Sequence, residues 1–76
     1  MDKLLEILED LKPGVDFMKE DELVDDGILT SLEVMTLVVE ICGEFDVEIS
    51  PLDIVPENFS SIHTIWALIT RIRDED

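Results

Sequence analysis

Positive charge is scarce in this chain. Five Lys+Arg stand against twenty Asp+Glu in 76 residues, leaving a net charge of -15. Such a surface repels phosphate, which argues against a nucleic-acid partner and against docking on an anionic membrane. Cysteine is nearly missing. The lone Cys42 has no partner for an internal disulfide and cannot build a cysteine metal site, so a reducing, cytoplasmic setting is expected. No apolar run approaches the ~20 residues that cross a bilayer. The opening residues, Met1-Asp2-Lys3-Leu4-Leu5-Glu6, lack the apolar core of a secretory signal. Glycine-rich phosphate loops, zinc-ligand pairs and Ser/His/Asp sets are also missing. A chain this short buries only about 60–65% of its unfolded surface, which leaves little room for an enclosed substrate pocket. An enzyme is therefore not expected. What the chain does have is 46% hydrophobic residues, too many for a disordered acidic tail. The expectation is a single folded acidic domain over 1–76 whose partner offers a basic protein surface.

Hydrophobic spacing indicates an all-α fold. Leu4, Leu5, Ile7, Leu8 and Leu11 recur at helical intervals, with Asp2 available as a cap and Pro13-Gly14 as a stop. Residues 14–29 read as a long loop pinned by Val15, Phe17, Leu23, Ile28 and Leu29. A second helix is expected over about 31–44, with Gly43 near its end and Phe45 as an anchor beyond it. Asp46-Val47-Glu48-Ile49 alternates like a strand, but no second strand exists to pair with it. Ser50-Pro51 suits the start of a short helix over about 51–55, ended by Pro56. Ser60 or Ser61 then caps a last helix whose apolar face is Ile62, Ile65, Trp66, Leu68, Ile69 and Ile72. The fold class is a small bundle of three principal helices plus one short helix.

The second helix holds more apolar residues than one buried face requires. At about 100° per residue, Leu37, Val38, Ile41 and Phe45 fall within about 60° of Val34 and form a core stripe. Leu32, Met35 and Val39 lie on a different face, and Glu33, Glu40 and Glu44 make a third stripe. The second apolar stripe has two readings. Either it packs against the long loop, or it is an exposed strip flanked by carboxylates and suited to a basic, hydrophobic partner.

Thr30-Ser31-Leu32-Glu33 opens this helix. The Thr-x-x-Glu spacing is a capping box, which accounts for Thr30 and Glu33. It leaves Ser31 unexplained. A serine at a helix start is ordinarily a cap. Here Thr30 fills that role, and a phosphate ester on Ser31 would lie beside the helix N-terminus, where N–H groups favour negative charge. Other chemistry is poorly supported. His63 has no evident base or nucleophile partner, and Cys42 reads as a small apolar residue beside the core stripe. A calcium loop ending at Glu33 with Gly27 as its glycine would start at Glu22 and place Val24 at the third ligand position, where valine cannot ligate. No metal site is expected.

Asp25-Asp26-Gly27-Ile28-Leu29-Thr30-Ser31-Leu32-Glu33 resembles the prosthetic-group site of acyl carrier proteins and of related peptidyl and D-alanyl carriers. The likeness continues through Glu40-Ile41-Cys42-Gly43-Glu44-Phe45-Asp46-Val47-Glu48-Ile49, similar to the family's Glu-x-x-Phe-x-(Val/Ile)-x-Ile stretch. Glu57-Asn58-Phe59-Ser60-Ser61-Ile62 is similar to the lead into the last helix of stand-alone aminoacyl-type carriers. The resemblance implies a monomeric carrier in which 4′-phosphopantetheine is esterified to Ser31 and holds an acyl or aminoacyl group as a thioester. It also implies three kinds of partner: a phosphopantetheinyl transferase, an acyl- or aminoacyl-activating ligase, and acyltransferase or synthase enzymes of fatty-acid or secondary-metabolite biosynthesis. Thr30, Leu32, Glu33, Met35, Val39, Glu40 and Glu44 are the expected partner-binding residues, the glutamates as steering charges. Thr30 departs from the aspartate usual in the family, which removes one charge beside the serine and implies weaker loading or a dedicated transferase. The alternative is an unmodified acidic helical adaptor that uses the same face.

Overall fold

The computed structural model describes residues 2–75. Helix α1 (Asp2–Leu11) buries Leu4, Ile7 and Leu8. Asp2 already lies within its first turn, where a carboxylate complements the helix dipole. Asp2 is thus a helical residue rather than the cap expected of it, and residue 1 lies outside the described residues. The Lys12 N–H bonds the Leu8 carbonyl at 2.9 Å and closes the last turn. Pro13 cannot continue the helix, and Gly14 turns the chain away with φ 89°, a value that favours glycine.

The long loop is stitched down at several points. Phe17, Leu23 and Leu29 are buried, and Val15, Val24 and Ile28 pack against the core. The Leu23 N–H donates to the Ser60 carbonyl at 2.8 Å, and Leu29 N–H to the Leu23 carbonyl at 2.8 Å. Gly27, with φ 76°, makes the turn between them. The loop thus delivers the chain to the start of α2 in a fixed place.

Helix α2 (Ser31–Phe45) buries Val34, Leu37, Val38 and Ile41, the stripe expected from spacing. Gly43 lies near its end, as expected. The helix runs through Phe45, whose ring meets Trp66 edge-on with centroids 5.8 Å apart, and Asp46 closes it in the left-handed conformation with φ 54°. Residues 47–49 form no regular secondary structure, and no strand occurs among the described residues.

The expected short helix over 51–55 is instead two 3-10 turns, Pro51–Asp53 and Pro56–Phe59. Pro56 opens the second turn rather than only ending the first, because its preset φ and missing N–H suit a first helical position. Asn58 Nδ2 donates to the Asp53 carbonyl at 2.8 Å and ties the two turns together. Helix α3 (Ile62–Glu75) buries Ile62, Ile65, Leu68 and Ile69. Arg71 Nη2 meets Asp53 Oδ1 at 3.0 Å and holds the first turn against this helix. Helix α1 packs on both α2 and α3, and the second 3-10 turn packs on α3. Phe59 is fully buried between the turns and the core. The fold is an all-helical small bundle, as expected.

Candidate functional site

Thr30 performs all the capping at the start of α2. Its Oγ1 accepts the Glu33 N–H at 3.3 Å, and its own N–H donates to Glu33 Oε1 at 3.0 Å. Its carbonyl accepts the Val34 N–H at 2.9 Å. Ser31 is thus the first helical residue, exposed, with its side chain released from the helix end.

The other serines are all committed inside the fold. Ser50 Oγ accepts the Leu52 N–H at 3.2 Å. Ser60 Oγ donates to the Pro56 carbonyl at 2.9 Å. Ser61 Oγ accepts the Thr64 N–H at 3.2 Å, and this residue is only 5% exposed. Among the described residues no protein group bonds the Ser31 hydroxyl.

The surface beside Ser31 is apolar. Leu32 is 80% exposed, Met35 49% and Val39 69%, so the second stripe of α2 does not pack under the long loop. A cleft of ≈ 240 Å³ adjoins Ser31 and is lined by Val34 and Met35 of α2, Val24 of the loop, and Ile54, Val55, Pro56 and Phe59. An apolar cleft next to a free hydroxyl suits an extended group attached at that oxygen.

The carboxylates of α2 face elsewhere. Glu40, Gly43 and Glu44 line a wider groove of ≈ 710 Å³ with Lys3, Glu6, Ile7, Glu9 and Asp10 of α1. Glu44 pairs with Lys3 at 3.5 Å. Glu33 is engaged internally: Oε1 in the capping box and Oε2 with Lys12 Nζ at 3.1 Å. The Thr30 backbone hydrogen bond, chiefly, holds its carboxyl below the usual range; desolvation opposes it, and the Lys12 ammonium and Thr30 hydroxyl each add a smaller lowering effect. His63 is exposed and Cys42 half-buried. No group of three or more His, Cys, Asp or Glu able to hold a metal occurs among the described residues, and none of their helices is long and apolar enough to cross a membrane.

Known proteins of the same size align along nearly the whole chain. The D-alanyl carrier protein of Lactococcus lactis subsp. lactis (strain IL1403) is 30% identical over 78 residues, covering 99% of this chain and 98% of that protein. The chain belongs to the stand-alone carrier-protein family. The D-alanyl carrier protein of Lactococcus lactis subsp. cremoris (strain MG1363) matches over the same span, also at 30% identity. Aminoacyl carrier protein 1 of Bradyrhizobium diazoefficiens is 36% identical over 63 residues, covering 83% of this chain and 69% of the relative. No protein-family model matches this carrier, and no solved structure matches it. A carrier is not itself a catalyst.

Sequence reasoning missed two parts of this carrier's site. Val55 lines the cleft and is 38% exposed; its only signal was an apolar residue directly before a proline. Lys12 joins the site through Glu33, and nothing in the spacing announced that contact.

Proposed function

We propose that Ser31 is the attachment point for 4′-phosphopantetheine, and that the carrier shuttles an aminoacyl group between cytoplasmic enzymes as a monomer. The observation that carries this reading is the Ser31 hydroxyl, exposed and uncommitted at a capped helix start while the three other serines are hydrogen-bonded within the fold. The names of the relatives support an aminoacyl cargo. In loading, Ser31 Oγ attacks the β-phosphorus of coenzyme A. The Oγ–P bond forms, the pyrophosphate P–O bond breaks, 3′,5′-adenosine bisphosphate leaves, and the serine proton passes to a base of the transferase. The attached arm ends in a thiol, which holds cargo as a thioester.

Each neighbouring residue has a part in this scheme. Thr30 and Glu33 hold the first turn of α2 rigid, so that an enzyme meets Ser31 in one orientation. Leu32, Met35 and Val39 form the contact surface for the transferase, for an aminoacyl-activating ligase and for the enzyme that receives the cargo. Glu40 and Glu44 act at longer range, as part of the acidic field that draws basic partners in.

The test is incubation with coenzyme A, magnesium and a broad-specificity phosphopantetheinyl transferase, followed by an intact mass. One arm should be gained by the wild type and none by Ser31→Ala, whose helical circular dichroism should be unchanged. A wild type that gains no mass would favour the adaptor, which shares the exposed strip but needs no modification.

A further inference from the structure

We propose that Lys12 is a positioning residue for Ser31: its ammonium anchors the Glu33 carboxylate, which fixes the Thr30 backbone that presents the Ser31 hydroxyl. The inference rests on the reading of Ser31 as the attachment point and adds a residue from outside α2 to its control.

The two oxygens of Glu33 have separate partners. Oε1 accepts the Thr30 N–H at 3.0 Å, and Oε2 meets Lys12 Nζ at 3.1 Å. A carboxylate held by one oxygen alone swivels about its last torsion, and its hydrogen bond to Thr30 breaks and re-forms. Tying the second oxygen to another element removes that freedom, at a helix end that otherwise frays. Lys12 is well placed to serve as the tie. Its N–H closes the last turn of α1 on the Leu8 carbonyl, and Pro13, with its fixed φ, follows directly. Both side chains are partly shielded, at 37% and 21% exposure, so water and salt screen the pair less than an open surface pair. The lowered pKa of Glu33 agrees with a carboxylate held in its charged form. Lys12 thus links the end of α1 to the start of α2, while Leu32, Met35 and Val39, which would meet the transferase, lie outside the link.

This separation predicts a split in the kinetics. Loading should be followed by intact mass for the wild type, Lys12→Met, Lys12→Arg, Glu33→Gln and the double variant Lys12→Met/Glu33→Gln. Lys19→Met, on the exposed loop, controls for the change in net charge. Amide hydrogen exchange at Thr30 should be measured in the same proteins before loading. Lys12→Met and Glu33→Gln are each expected to lower kcat about threefold, the scale of a partly exposed ion pair, with KM unchanged. The double variant should lose no more than either single one, because both remove the same tie. Lys12→Arg should restore the rate, Lys19→Met should match the wild type, and Thr30 exchange should quicken in Lys12→Met. Wild-type kcat and wild-type Thr30 exchange in Lys12→Met would overturn the proposal, as would a loss that Lys12→Arg leaves unrepaired. A wild type that gains no mass would instead overturn the Ser31 reading, and Thr30 exchange would still decide whether Lys12 holds the cap.

Discussion

At the start of α3, Ser61 is buried and its hydroxyl accepts the Thr64 N–H, while Thr64 Oγ1 accepts the Ser61 N–H in return. At the start of α2, Thr30 and Glu33 make the equivalent pair of bonds, and Ser31 stands one residue further on with its hydroxyl in the open. Both starts are capped reciprocally, yet they use serine in opposite ways. One residue of offset from the helix boundary decides the difference. At the cap position a hydroxyl satisfies an orphan N–H, and one position later that need is already met. A serine hydroxyl at a helix start is left open when its neighbour does the capping.

Four substitutions or conditions break or sharpen this comparison. The largest effect is expected where the open start meets a partner. Leu32→Asp combined with Met35→Asp should lower kcat/KM for loading by about tenfold or more, the scale of a contact hot spot. Both side chains are exposed, so the melting temperature should hold. A large melting shift would mean that the strip is structural.

Ser61→Ala should do the reverse. Loss of that cap costs about 1 kcal/mol, or about 4–8 °C in melting temperature for a domain of this size. Loading measured well below the transition should match the wild type.

The third effect is a pH dependence at the open start. The folded pKa of Glu33 is lowered, so its stabilising contribution is complete above the ordinary carboxylate value. It is lost as pH falls through the lowered value, when the carboxylate gives up its charge-assisted bonds to Thr30 and Lys12. The melting-temperature gap between wild type and Glu33→Gln should therefore be constant near neutrality and narrow in acid. A gap that widens in acid would contradict the assignment.

The smallest effect concerns the acidic groove on the other side of α2. Glu40→Gln should raise stability by a few tenths of a kcal/mol at low salt, by easing repulsion among the groove carboxylates. It should slow association with a basic partner by less than about twofold. Both effects should fade at about 0.5 M salt, where the Debye length is only a few ångströms.

Local pattern made much of this legible. Thr-x-x-Glu announced the capping box, and the 3.6-residue spacing separated the buried stripe of α2 from Leu32, Met35 and Val39. The three blocks around Ser31, Phe45 and Phe59 pointed to a carrier. What spacing alone did not show depends on contacts between distant segments. The edge-on packing of Phe45 against Trp66, a residue of another helix, is one such contact. The pairing of Glu33 with Lys12 follows from how α1 lies across α2. The choice between Ser60 and Ser61 as the cap of α3 was open in sequence, because Pro56 could claim the Ser60 hydroxyl only once it had begun a 3-10 turn.

The central claim is that the chain offers one serine for modification and keeps the others for its own structure. The most direct measurement is peptide-level mass spectrometry of the protein after loading from coenzyme A. The added phosphopantetheine should be found entirely on the peptide containing Ser31, at one arm per chain. An arm on a peptide carrying Ser50, Ser60 or Ser61 would contradict the account.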